Sequence, residues 1–365
     1  MKVTILPENI TNYIPLLNKI LPSHSQVPIL SNLYLEAKSD GLTLKATDLE
    51  IGTEIKIPAK IEEEGAITIP GKEFLEAINS LPKDKIDIEV EKDILNVRCR
   101  DTKVVFNTIS KDEFPTLYKN IGTRVAEFSR EEFLDIFSSL TFSVSVEDSR
   151  PQLTGVLIKP TEGGVDFVST DGYRMSIKKV EGRKTEEKDG LIVSVKLINE
   201  VMSLKGDERI VLYLGKAEGQ IVFQVGDVLI VGRMIEGAFP DYGRVLPGES
   251  ATVVDFDKEA LLQGVRLVSV FAKDSSNIAM LSVEGSSVVI ETKTQGVGEG
   301  KAVVDCRKTG PDVKIAFNIR YLMDILKNVS AKSLVLKLNS SMEPALFEVK
   351  EHDFSHVIMP IQVEN

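Results

Sequence analysis

The chain repeats itself, and this limits what it can fold into more than any other feature. The stretches ITIPGKEFLEAINSLPKDKIDIEV from Ile67, LIVSVKLINEVMSLKGDERIVLYL from Leu191 and VKIAFNIRYLMDILKNVSAKSLVLKL from Val313 share one pattern. Each reads as a short strand, a helix of about three turns, a polar turn and a strand of period two. Phe74, Leu197 and Tyr321 hold equivalent places, 123 and 124 residues apart. LKATDLEIG and VSTDGYRMS also correspond, with Thr47 and Thr170 again 123 apart. Each unit closes on a similar phrase around Pro115, Pro240 and Pro360. A fixed period of this length means three copies of one domain. Polar, turn-rich segments near Ile121–Arg124 and Pro247–Ala251 put the copies at 1–122, 123–249 and 250–365.

Each copy also opens with a helix. The first starts at Glu8, with Pro15 marking a kink or a late start. The second starts at Ser129, where Ser129 and Glu132 make a capping-box signature. The third starts at Asp257, an N-cap residue. The expected fold class is therefore α+β: three tandem domains, each with two amphipathic helices and antiparallel sheets.

Composition narrows the function classes. The chain is 42% apolar and 27% charged, ordinary for a soluble domain protein. No run approaches the roughly 18 to 20 apolar residues that cross a bilayer, and the start MKVTILPENI does not read as a signal peptide. Cys99 and Cys306 lack metal or redox spacing, so they read as buried or half-buried thiols in a reduced cytoplasmic compartment. The net charge of −11 argues against tight nucleic-acid binding by the whole surface. Over the six expected helices, however, ten Lys and Arg balance ten Asp and Glu, so the excess acid lies elsewhere.

The segments VPILSNLYLEA (27–37), ATDLEIG (46–52), SRPQLTGVLI (149–158), STDGYRMS (169–176), FPDYGRVLP (239–247) and VIMPI (357–361) carry a resemblance. In order, across the full length, they resemble the bacterial replicative sliding clamps, the β subunits of DNA polymerase III. The resemblance implies a DNA-clamp domain in three copies and a head-to-tail homodimer. That dimer is a six-domain ring, with helices lining the hole and sheets outside. Simple geometry agrees: helices about 10 Å apart, twelve abreast, enclose a hole near 28 Å, enough for a duplex, whereas six do not. It also implies a non-catalytic processivity factor, without cofactor, metal or membrane contact. Its implied partners are encircled duplex DNA, the replicative polymerase α subunit, the clamp loader, and other polymerases and repair proteins. The implied place of action is the bacterial cytoplasm, at the nucleoid during replication.

Carried over by position, the family's peptide pocket falls on Leu153, Thr170, Gly172, Tyr173, Arg174, Met175, Pro240, Arg244, Val245, Val357, Met359, Pro360 and Ile361. Arg150, Asn318, Met342 and Pro344 extend it. Apolar floor residues suit peptide anchors, methionines repack for different ligands, and the arginines and Asn318 are expected to orient peptide polar groups. DNA-facing candidates are His24, Lys72, Lys196, Lys205, Lys258, Arg266, Lys273, Arg320 and Lys327; each reads equally as part of a solvated helix face. His24 stands where the family often has arginine. At the dimer joint the resemblance sets Phe106, on an edge strand at 102–110, against Val270 and Phe271, and Lys72 against Glu299. The ending IQVEN runs past the family's MPI phrase.

Catalytic signatures are missing. His352 and His356 read as surface histidines, and GVGEGKA (296–302) lacks phosphate-loop spacing. Two other readings of the residues stay open here: an enzyme using Asp48 and Asp171, and a clamp-like scaffold without a DNA role.

Overall fold

The computed structural model describes residues 1–23, 25–183, 185, 190–215, 219–273, 276–349 and 352–363. In the first copy the elements are β1 (Lys2–Ile5), α1 (Glu8–Thr11), α2 (Ile14–Ile20), β2 (Asn32–Lys38), β3 (Gly41–Thr47) and β4 (Ile51–Ile57). There follow β5 (Lys60–Glu63), β6 (Gly65–Pro70), α3 (Gly71–Ser80), β7 (Ile86–Glu91), β8 (Ile94–Cys99) and β9 (Thr102–Asn107). The second has β10 (Thr123–Phe128), α4 (Arg130–Ser138), β11 (Gly155–Pro160), β12 (Gly164–Thr170), β13 (Arg174–Glu181) and β14 (Leu191–Ser194). It ends with α5 (Val195–Ser203), β15 (Ile210–Gly215), β16 (Gln220–Val225) and β17 (Val228–Arg233). The third has β18 (Thr252–Asp257), α6 (Lys258–Ala272), β19 (Ile278–Glu284), β20 (Ser287–Thr294) and β21 (Gly298–Thr309). It closes with β22 (Val313–Asn318), α7 (Ile319–Asn328), β23 (Ser333–Leu338), β24 (Ala345–Val349) and β25 (Phe354–Ile358).

The second helix of each copy follows one rule. Phe74, Leu75 and Ile78 on α3, and Leu197, Ile198 and Val201 on α5, are buried at the same one-and-four spacing. On α7 that spacing falls on Tyr321, Leu322 and Ile325, with Tyr321 only half-buried. The opening helices vary more. Asp257 caps α6 by accepting from Ala260 N at 2.8 Å, worth about 1 kcal/mol. The helix expected at 8–21 is two pieces, and Pro15 is the second residue of α2, where its missing N–H costs nothing. The guanidinium of Arg130 donates to Val201 O (2.9 Å), Met202 O (2.6 Å) and Leu204 O, satisfying the orphan carbonyls that end α5.

Two compact units emerge: residues 1–130 with 196–234, and 131–195 with 235–365. Each unit holds a sheet that runs out of one copy into the next. In the first, the order is β10-β15-β16-β17-β4-β3-β2-β6, with Val228 opposite Ile55 at the seam. In the second, β14-β11-β12-β13-β25-β24-β23-β18 repeats that order strand for strand, then continues through β21-β20-β19-β22. Its seam sets Arg174 opposite Ile358 and Met175 opposite Val357. The first unit also holds a sheet ordered β5-β1-β7-β8-β9, so β9 is an edge strand, as its sequence suggested. Among the described residues no helix is long and apolar enough to cross a membrane.

Candidate functional site

The turn between β12 and β13 is built from its own side chains. Thr170 Oγ1 donates to Arg174 O (2.7 Å) and accepts from Gly172 N (3.0 Å). Asp171 Oδ1 accepts from Tyr173 N (2.9 Å) and Arg174 N (3.0 Å), and Oδ2 accepts from Arg174 Nε (3.0 Å). The first copy makes the same turn. Thr47 Oγ1 bonds Ile51 O and Leu49 N, and Asp48 Oδ1 accepts from Glu50 N and Ile51 N. Both third residues have positive φ: +94° at Gly172 and +77° at Leu49. The carboxylate of Asp171 is thus spent on holding a turn, not poised for proton transfer.

Arg174 is the main correction to the expected site. It was expected to orient a ligand, yet its side chain is 9% exposed and three of its five N–H donors are engaged inside the protein. Besides Asp171, Nη1 bonds Asp324 Oδ2 on α7 (2.5 Å) and Nη2 bonds Phe142 O (2.6 Å). The guanidinium also stacks on Tyr321, 4.4 Å from the ring centre. Arg174 is an internal strut tying the turn to α7. Asn318 is likewise engaged: as N-cap of α7, its Oδ1 accepts from Arg320 N (3.0 Å).

Around that strut the remaining candidates sort into floor and rim. Leu153, Thr170, Met175 and Val357 are buried. Met175 and Val357 share an apolar cluster with Leu157, Val168 and Leu346, onto which Phe239, Tyr242 and Leu246 pack. Those three flank Pro240, Arg244 and Val245 and so fix that segment beside the floor. Tyr242 Oη donates to Asp166 (2.9 Å); burial and that carboxylate push its phenol pKa up. Tyr173, Met342, Met359, Val245 and Arg244 are exposed. Met359 N donates to Tyr173 O (2.9 Å) and Ile361 N to Ala316 O (2.8 Å), which fastens the MPI phrase along the rim. Arg150 lies across Gly172: a Cβ there would sit 3.0 Å from Arg150 Nη1. Pro344 and Pro360 are half-buried at one end of the β24–β25 pair, where Ala345 stands opposite Ile358. The structure therefore brings these candidates together within the second unit.

Under the floor lies a polar chain that the sequence did not suggest. His356, expected at the surface, is fully buried because β25 sits inside the sheet. Its Nδ1 meets Ser176 Oγ (2.7 Å), which accepts from Ser143 Oγ (2.9 Å), itself 2.6 Å from Ser169 Oγ. Burial, then the charge of Arg174, push the imidazole pKa down to about 3, so the ring is neutral. Asp324, Phe142, Tyr321 and these serines are the contributors that sequence reasoning missed. Only His356 gave a signal there, and it was misread.

The expected DNA-facing cations differ in freedom. Lys72 donates to Ser23 Oγ (2.7 Å), Lys196 pairs with Glu50 (2.8 Å) and Lys258 donates to Val329 O (3.0 Å). Arg266 lies 4.0 Å from Glu259, while Lys205, Lys273, Arg320 and Lys327 are exposed. His24 lies outside the described residues. At the expected joint, Phe106 on β9 packs edge-on to Phe74 at 5.8 Å; Val270 is 62% exposed, and Phe271 lies over Gly298 and Gly300. Glu299 is exposed beside it on β21. The GVGEGKA segment is the turn into β21, so it has no helix to make a phosphate loop.

Three family models match in series. The DNA polymerase III beta subunit N-terminal domain matches residues 1–118, the central domain 127–241 and the C-terminal domain 243–362. The beta sliding clamp of Synechococcus elongatus is 28% identical over the full length of both chains. That of Chlamydia trachomatis is 26% identical over all of this chain and 88% of its own. The DNA polymerase III subunit beta of Pseudomonas aeruginosa superposes with a TM-score of 0.93 at 25% identity, covering both chains fully. The Streptococcus pyogenes beta subunit gives 0.95 at 22%, likewise over both chains, a likeness of fold. With its three domains matched in order, the chain belongs to the DNA polymerase III beta subunit family.

Proposed function

We propose that the chain is a sliding clamp: two copies close head to tail around duplex DNA and hold DNA-processing enzymes on it through short peptides. The observation that carries this reading is the site's division into a buried floor of Leu153, Met175 and Val357 and an exposed rim of Tyr173, Val245, Met342 and Met359. Such a surface takes an apolar or aromatic anchor. Its partners on this reading are the replicative polymerase α subunit, the clamp loader, and other polymerases and repair proteins. The copies 1–122, 123–249 and 250–365 are the ring's segments, and the protein acts as a non-catalytic subunit in the cytoplasm, at the nucleoid. Two open edges support closure. β9 ends its sheet, and the first two thirds of β21, Gly298–Asp305, pair only with β20 among the described residues. Exposed Val105 lies on one edge, and exposed Val297 and Val303 at the other. Exposed Lys205, Arg320 and Lys327 suit loose contact with phosphates, which a topological tether needs for sliding.

The test is loading by a clamp loader and ATP onto nicked circular DNA. Loaded protein is expected to survive high salt and to leave once the circle is cut. Equal retention on cut and circular DNA would sink the ring, and failure to load would leave only a scaffold.

A further inference from the structure

At the opposite end of β25 from Met359, a cavity of about 440 Å³ is lined by Lys258, Ser330, Ala331, Lys332 and His352. Its walls are the start of α6, the exit of α7 and the turn before β25. These walls are lashed together. Lys258 N donates to Lys332 O (2.9 Å) and Lys258 Nζ to Val329 O (3.0 Å), where α7 ends.

The charge in this cavity runs against the rest of the molecule. The chain carries −11, and many of its lysines face carboxylates, as Lys45 does Glu54 and Lys178 does Asp135. Among the described residues neither Lys258 nor Lys332 has a carboxylate within ion-pair distance, and no acid lines the cavity. Of the described acids next to these residues in sequence, Asp257 is turned onto Ala260 N and Glu259 lies 4.0 Å from Arg266, while Asp353 lies on the turn beside His352. Lys258 answers the negative end of α7, which leaves Lys332 as the cation in excess. Converging cations without a counter-charge favour an anion. We propose that this cavity binds a phosphate group, with Lys332 and Lys258 supplying charge and Ser330 and His352 supplying hydrogen bonds. The phosphate comes from a free phosphate compound or from a nucleic-acid backbone. Only the second source rests on the clamp reading.

The chain has just three histidines, so labelled imidazole Cε1–H signals resolve the question in the full-length protein. Inorganic phosphate is titrated against chloride at matched ionic strength, and a short duplex is titrated in phosphate-free buffer. The His352 signal is expected to move saturably with at least one of them. Lys332→Gln is expected to weaken that binding about fivefold or more. A response to inorganic phosphate assigns the free source; a response to duplex alone assigns the backbone. The signal of buried His356, unchanged in Lys332→Gln, reports an intact fold. No saturable movement beyond chloride, or equal movement in Lys332→Gln, overturns the proposal.

Discussion

Arg244 and Arg174 sit in one candidate site but are held differently, and substitution separates them. Arg244 is 87% exposed and, among the described residues, tied to Asp241, so Arg244→Ala is expected to weaken peptide binding about threefold to tenfold with little change in melting temperature. Arg174→Met strands Asp171, Asp324 and the Phe142 carbonyl. Its expected cost is roughly 2–4 kcal/mol, below the fully buried range because Asp324 is partly exposed. Calorimetry of both variants, with and without peptide, checks the contrast. His356 makes a third case. Its folded pKa, about 3, lies below the usual imidazole value, so the unfolded chain binds a proton that the folded chain refuses. Stability from this group is complete above about pH 6.5 and is lost toward pH 3, at about 1.4 kcal/mol per unit. Between pH 7.5 and 5.5 the urea midpoint is expected to fall more in the parent than in His356→Gln; equal falls would remove His356 from the account.

Elements distinguish the two seams. Gly52 stands 123 residues before Met175, and Leu117 fills the room beside it: a Cβ on Gly52 would come within 2.8 Å of Leu117 Cδ2. Where the second unit has the Met175 side chain, the first has Gly52 with Leu117 of its own linker in that space. One peptide per chain is therefore expected by titration calorimetry, and Leu117→Ala is expected to cost about 1–3 kcal/mol without changing affinity at the second seam. A stoichiometry of two in the parent would show the first seam to be open. The sequence disclosed much at this scale. Periodicity marked the second helices of all three copies, the shared Thr-Asp pair marked the turn, and Asp257 marked its cap. What it hid are partnerships at long range. Arg174 meets Asp324 across 150 positions, and Lys258 meets Val329 across 71. No local pattern announces either. Nor does any local pattern announce that β13 pairs with β25, the fact that turns His356 from a surface residue into a buried one.

At the scale of the whole molecule, the clamp reading makes assembly turn on the two open edges. A flat strand edge with exposed apolar residues invites pairing unless it is charged or covered. β9 carries Val105, 51% exposed, and a half-buried Phe106; the free stretch of β21 carries Val303, 61% exposed. Because these edges differ, one joining to the other is heterologous, and a closed ring follows only if the rotation closes. Phe106→Ala removes the packing expected across the joint but also loses the contact with Phe74, so it tests fold and assembly together. Val105→Lys separates them. It places a charge on the edge at a position half open to water, with an expected change in monomer stability within about 0.5 kcal/mol. Both variants are expected to sediment as monomers at micromolar concentration, where the parent sediments as a dimer, and neither should persist on circular DNA in salt. A Val105→Lys protein that sediments as the parent does would move the joint away from β9, whatever Phe106→Ala does to the fold.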